Sequence, residues 1–155
     1  MENKASYTFQ EIKQKLVNYC VYQDRCHSEV EQKMREFLLI DEAKEDIFLY
    51  LIQENYLNEE RFVRSYIRGK FYMKKWGRQK IKMSLKQKGI SERMMQGCWN
   101  EIFEEDYADT IRTIYNKYIE NLSGLNDYQK KTKAIRHLLS KGFEYEDIQN
   151  NVGNL

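Results

Sequence analysis

Apolar residues recur along this chain at the three- and four-residue spacing of an amphipathic helix. Phe62 with Tyr66, and Val63 with Ile67 and Phe71, show this spacing, and similar stripes occur on both sides of them. Proline, which breaks helix interiors, is absent, and glycine occurs only seven times in 155 residues. The pattern therefore predicts an all-α protein with short loops. We expect nine helices, over residues 8–23, 28–38, 42–54, 58–75, 78–88, 91–102, 107–121, 127–140 and 144–152.

A longer pattern repeats three times. Residues 81–90 contain an apolar residue, a second one four positions later, and then Lys-Gly followed by an apolar residue. The same order returns 53 residues later over 134–143, and a weaker copy lies 51 residues earlier over 30–39. Such a period is typical of stacked repeats, which usually present binding surfaces rather than catalytic pockets. We expect three tandem three-helix repeats, over residues 1–56, 57–104 and 105–155, forming an elongated, curved array.

Capping residues mark the predicted helix ends. Thr8 and Ser28 are each followed three positions later by Glu, which predicts a capping box at both sites. Gly89 and Gly142 follow helices with Lys in the last turn, where a left-handed residue is favoured. Further N-cap candidates are Asp41, Asn58, Ser91 and Asn126 or Asp127.

Charge is distributed unevenly along the chain. Residues 61–88 hold eleven Lys or Arg and no Asp or Glu, whereas residues 1–60 carry a net charge of −6 and residues 89–155 a net charge of −3. Unpaired cations repel one another, so this segment favours an anionic partner. Nucleic-acid phosphates or an acidic protein surface fit equally well on these grounds. The candidate contact residues are Arg61, Arg64, Arg68, Lys74, Lys75, Arg78, Lys82 and Lys86.

Three aromatic residues are interleaved with these cations. Tyr66, Tyr72 and Trp76 are suited to stacking on bases of single-stranded nucleic acid. Large side chains also supply most of the buried area of a thin helical array. We therefore expect Tyr66 and Trp76 to pack in the core or between repeats.

The sequence lacks the patterns that accompany common enzyme chemistry. There is no phosphate-binding glycine loop and no nucleophile elbow. Cys20, Cys26 and His27 do not match a zinc-ligand spacing. We expect no catalytic residues, no metal and no cofactor. The odd cysteine count, the short apolar runs and the lack of a secretory signal predict a cytoplasmic protein with no membrane span. No heptad seam stands out, so we expect a monomer.

Three segments resemble the RecX family. Residues 57–63, LNEERFV, are similar to the LNDERFA of that family, and residues 77–90, GRQKIKMSLKQKGI, are similar to its GxxxIxxELxxKGI. Residues 24–34 resemble its opening, in which Arg, Ser, Glu-Leu and Leu follow in order. The likeness runs from about residue 9 to residue 152. The sequence departs from the family pattern at Leu38 (Gly in the family), Glu59 (Asp), Val63 (Ala) and Ser84 (Glu).

This resemblance implies a small regulator of the RecA recombinase. RecX proteins are tandem three-helix repeats that bind in the groove of the filament formed by RecA on single-stranded DNA. They modulate strand exchange, ATP hydrolysis and coprotease activity, usually downward. Two alternatives remain open from the residues themselves. A helix-turn-helix-like DNA-binding regulator would prefer one duplex sequence over scrambled DNA. A helical-repeat adaptor for an acidic protein would bind its partner without regard to nucleic acid.

Overall fold

The structure is a computed structural model that describes residues 6–153. These residues are all helical apart from their connecting loops, and they contain no β-strand. Nine α-helices are present in this range, which confirms the all-α fold predicted from the sequence. They are α1 (Phe9–Tyr22), α2 (His27–Met34), α3 (Asp41–Gln53), α4 (Glu59–Arg68), α5 (Arg78–Gln87), α6 (Glu92–Gln96), α7 (Glu104–Glu120), α8 (Asp127–Ser140) and α9 (Tyr145–Val152).

Four predicted helices differ from the observed ones by three residues or more. The helix expected over 107–121 begins at Glu104 instead. The helix expected over 58–75 is α4 continued by a π-helical segment, Gly69–Met73. The helix expected over 91–102 is the short α6 followed by a 3₁₀ turn, Trp99–Glu101. The second helix ends at Met34 rather than near residue 38. We refer to α1–α3, α4–α6 and α7–α9 as the first, second and third units.

Side chains cap the starts of four of the nine α-helices in residues 6–153. Thr8 and Glu11 form the expected capping box, in which the Glu11 amide donates to Thr8 Oγ1 at 3.2 Å. The side chains of Asn58, Ser91 and Asn126 also accept amide hydrogen bonds as N-caps. Asp41 was a wrong N-cap prediction, because Ile40 takes that position and Asp41 begins the helix.

The predicted capping box at Ser28 is also wrong. Helix α2 begins one residue earlier, and the Cys26 amide donates to Glu29 Oε1 at 3.1 Å. The Ser28 hydroxyl instead donates to the carbonyl of Lys88 at 2.8 Å. A partner sixty positions away in the sequence thus takes the hydroxyl, and it ties the first unit to the second.

The apolar side chains form two cores. One lies within the first unit, where Leu16, Val30 and Leu51 are fully buried. The other is continuous through the second and third units. Cys26 of the first unit is fully buried in this second core. Burying a Leu or Ile side chain contributes roughly 1.5–3 kcal/mol, so this shared core holds the second and third units together.

A close backbone contact joins the second and third units. The amide of Gly77 donates to the Lys141 carbonyl at 2.8 Å, and the amide of Gln79 donates to the Gly142 carbonyl at 2.9 Å. A β-carbon on Gly77 would lie 2.3 Å from the Gly142 carbonyl carbon. Gly142 has a φ of +96°, the left-handed conformation expected for it. Glycine is therefore required on both sides of this contact.

Candidate nucleic-acid interface

The basic segment, residues 61–88, comprises most of α4, the π-helical segment, a turn and α5. Its sequence contains no carboxylate, and we expected its cations to be unpaired. The folded chain brings carboxylates to it from distant parts of the sequence. Seven of its eleven cations lie within ion-pair distance of an Asp or Glu. The expectation of an unpaired block is therefore wrong for most of this segment.

Two arginines of α4 share one carboxylate from the 3₁₀ turn. Arg64 Nη1 lies 3.1 Å from Glu101 Oε1, and Arg68 Nη1 lies 2.8 Å from Glu101 Oε2. Hydrogen bonding from Arg68 and Arg64 lowers the pKa of Glu101. Arg64 also donates to the carbonyl of Gly97 at 2.9 Å. These bonds attach the last turn of the second unit to α4.

Arg78 begins α5 and is surrounded by the third unit. Its guanidinium lies 2.8 Å from Glu104, 3.2 Å from Glu144 and 3.6 Å from Asp147. Its side chain is only 18% exposed, and it stacks on the ring of Tyr107 with 3.9 Å to the centroid. Burial, and then the neighbouring Glu144, raise the pKa of Asp147 to about 6. Arg78 therefore holds the junction of the second and third units.

Lysines of α5 pair with the helix that follows. Lys82 and Lys86 each place Nζ 2.9 Å from Glu92 Oε1, and their hydrogen bonds lower the pKa of Glu92 to about 2. Lys88 pairs with Glu29 of the first unit at 3.3 Å. Two further pairs complete the set. Arg64 Nη2 lies 3.4 Å from Glu60 Oε1 on α4, and Arg61 Nε lies 2.8 Å from Asp24 Oδ1, again between units.

Four lysines differ from the rest of the segment. Within residues 6–153, no carboxylate oxygen lies within 4.0 Å of Lys70, Lys74, Lys75 or Lys80. Lys70 and Lys80 flank Trp76, with Nζ 4.6 Å and 4.5 Å from its ring centroid, and Lys74 and Lys75 directly precede it in the sequence. Lys74 and Lys75 are among the contact residues predicted from the sequence, whereas Lys70 and Lys80 are not. We call these four residues, together with Trp76, the lysine turn.

The two tyrosines and the tryptophan of the segment are half-buried, whereas Phe62 and Phe71 are buried. Tyr66, Tyr72 and Trp76 all pack against the second core, which confirms the packing role expected for Tyr66 and Trp76. The hydroxyl of Tyr66 is hydrogen-bonded to that of Ser84, and the hydroxyl of Tyr72 donates to Asp106 at 2.7 Å. Trp76 also lines an open cleft between the first and second units.

No three His, Cys, Asp or Glu side chains between residues 6 and 153 come together as a metal-ligand set. Over the same range, each helix is too short or too polar to cross a bilayer.

Comparison with known proteins identifies the family. The sequence model described as "RecX, second three-helix domain" matches residues 58–96, and "RecX, third three-helix domain" matches residues 104–150. Together these two matches cover more than half of the chain.

Individual relatives and solved structures agree with this assignment. A "Regulatory protein RecX" of Serratia proteamaculans is 34% identical over 106 residues, and one of Lactobacillus gasseri is 29% identical over 130 residues. The alignments cover 68% and 84% of this chain, but only 61% and 48% of these relatives. The crystal structure of RecX from Lactobacillus salivarius superposes with a TM-score of 0.85 at 25% identity, covering 93% of this chain and 94% of that one. The protein belongs to the RecX family, and its tandem three-helix units are the fold of that family.

Proposed function

We propose that this protein is a non-enzymatic modulator of the RecA recombinase. It binds in the groove of the filament that RecA forms on single-stranded DNA. There it lowers strand exchange, ATP hydrolysis and coprotease activity. The observation that carries this proposal is the match of the second and third units to the RecX family, whose curated relatives are named regulatory proteins.

The arrangement of helices and charge supports a docking role. Helical units that share one continuous core form a stiff body, which suits a protein that wedges between protomers of a filament. The lysine turn offers positive charge to a filament that carries nucleic acid. Long-range attraction of this kind speeds association, and its effect falls as salt rises. We propose that the protein works as a cytoplasmic monomer, because one copy already presents both the helical body and the charge.

The direct test is DNA-dependent ATP hydrolysis by the cognate RecA. Filaments are assembled first on single-stranded DNA, and the protein is then added at increasing ratios to RecA. The proposal predicts a dose-dependent fall in ATP hydrolysis. No change at a several-fold excess over filament binding sites would contradict it.

A control separates modulation of RecA from capture of free DNA. An unrelated basic helical protein of similar net charge is added to the same preassembled filaments. We expect it to leave ATP hydrolysis nearly unchanged at the ratio where this protein acts. An equal effect of both proteins would mean that charge alone removes DNA from RecA.

A further inference from the structure

We propose that the lysine turn is the part of this protein that contacts the DNA phosphates. The other seven cations of the basic segment then serve to hold the helical units together. This inference rests on the proposed function, because it names the nucleic-acid contact of that surface. Of the eleven cations in the segment, only Lys70, Lys74, Lys75 and Lys80 are then expected to contact phosphates.

Within residues 6–153, pairing divides the segment into seven cations with carboxylate partners and four lysines without one. All four of its arginines, and the three lysines nearest the end of α5, have carboxylate partners. A cation and a carboxylate of its own act on a distant anion almost as a neutral dipole, so they add little attraction. Lys82 and Lys86 share Glu92, so that group keeps one net positive charge. Asp109, which lines a shallow cleft with Lys75, is itself paired with Arg112. The uncompensated charge of the segment is therefore concentrated over residues 70–80.

The backbone conformation at Lys75 independently indicates a functional role for this lysine. Lys75 has a φ of +59°, in the left-handed region where a β-carbon is crowded. Its amide donates to the Phe71 carbonyl, and the Trp76 amide donates to the Lys70 carbonyl, so the turn is closed by hydrogen bonds. At other helix ends of this chain, the left-handed position is taken by Asn55 or by glycine. A lysine here is a poor choice for stability, which indicates that its charge serves another purpose.

The helix geometry changes just before the lysine turn. The π-helical segment Gly69–Met73 interrupts α4 just before the turn, and such interruptions are frequent at functional sites. Lys74, Lys75 and Lys80 are exposed, while Lys70 is half-buried against the ring of Trp76. Two of the lysines, Lys70 and Lys80, thus flank one aromatic side chain, and the exposed Lys74 and Lys75 lie next to it in the sequence.

The chemistry of these donors is compatible with a phosphate backbone. Arginine binds carboxylates in a bidentate fork, and this chain uses its arginines for internal carboxylates. Lysine is a flexible point charge, which suits phosphates whose positions vary along a single strand. Trp76 and Lys70 also line the open cleft of about 610 Å³ between the first and second units. That volume is in the range of small-ligand pockets, which is enough for a base beside the bound phosphates.

Two triple variants of equal charge test the assignment. One is Lys74→Gln, Lys75→Gln, Lys80→Gln, which removes the exposed lysines of the turn. The other is Lys82→Gln, Lys86→Gln, Lys88→Gln, which removes paired lysines from the same segment. Binding of each full-length variant to fluorescent oligothymidine is measured by anisotropy across a range of salt, and thermal melting monitored by circular dichroism confirms folding.

The expected results follow from counterion release. The measured quantity is the slope of the logarithm of the binding constant against the logarithm of the salt concentration. Four phosphate contacts on a single strand give a slope of about −2.8, so affinity falls roughly 50-fold between about 50 and about 200 mM salt. With one contact left, the turn variant should show a slope of about −0.7 and a fall of only roughly 3-fold. The variant with substituted paired lysines should keep the wild-type slope.

Other outcomes overturn the inference. The inference is wrong if the turn variant keeps the wild-type slope, or if both variants lose the same amount of oligothymidine affinity. It is also wrong if the wild-type protein does not bind oligothymidine. A turn variant that binds oligothymidine normally but no longer slows RecA would place an acidic protein surface, not phosphate, on the turn.

One outcome distinguishes the inference from the proposed function. A smaller salt slope in the turn variant, with no effect of wild-type protein on ATP hydrolysis by RecA, would support the inference and refute the proposed function.

Discussion

Replacing Gly77 with alanine should weaken the packing between the second and third units. The new β-carbon would lie 2.3 Å from the carbonyl carbon of Gly142 and 2.3 Å from the amide nitrogen of Phe143. Both are backbone atoms, so no flexible side chain can move aside. Gly77 itself has a φ of −76°, which alanine adopts freely, so the whole effect arises from this contact.

The expected loss in the free energy of unfolding follows from the distances at this contact. Ordinary contact begins near 3.4 Å, so the start of α5 must move by about 1 Å from the loop after α8. That shift strains the two hydrogen bonds from Gly77 and Gln79, each contributing about 1 kcal/mol. Overpacking adds about 1–3 kcal/mol. We expect Gly77→Ala to lower the free energy of unfolding by about 3–5 kcal/mol.

Urea denaturation followed by circular dichroism measures this change. The matched control is Gly69→Ala, because a β-carbon there meets no atom within 4 Å and the backbone is already helical. The control should be unchanged or more stable by up to about 1 kcal/mol. A Gly77→Ala protein within about 0.5 kcal/mol of wild type would refute the reasoning about this junction.

Three smaller predictions concern other junctions and the turn. Ser28→Ala removes the hydrogen bond to the Lys88 carbonyl and should cost about 1 kcal/mol in urea denaturation; no change in midpoint would contradict it. Because the pKa of Asp147 is raised from 3.8 to about 6, the folded state holds its proton more tightly than the unfolded state. Stability should therefore fall as pH rises from about 4 to about 6, and Asp147→Asn should flatten that fall in melting temperatures; an unchanged pH profile would contradict this. Lys75→Asn suits the left-handed backbone, so it should raise stability by about 1 kcal/mol while weakening oligothymidine binding; a lower melting temperature would contradict it.

The parts of the fold that depend on neighbouring residues were predictable. Helix spacing, the capping side chains of Thr8 and Asn58, and the left-handed Gly89 and Gly142 all involve partners within a few positions. Ser28 followed the same local pattern but failed as a cap. The Lys88 carbonyl that takes its hydroxyl becomes its neighbour only when the units pack.

The electrostatic character of the basic segment was only partly predictable. Its run of cations is visible in the sequence, but the carboxylates that pair with them are not. Glu101 lies 33 positions from Arg68, and Glu144 lies 66 positions from Arg78. Pairing over such separations depends on how units pack against each other. The proximity of Lys70 and Lys80 to Trp76 was available as a local signal, since all three fall within eleven residues.

Electron microscopy of filaments tests the central claim most directly. Cognate RecA is assembled on single-stranded DNA with an ATP analogue that resists hydrolysis, and the protein is added in excess. The account predicts regularly spaced additional density along the filament groove. Filaments that remain bare at saturating protein would contradict it.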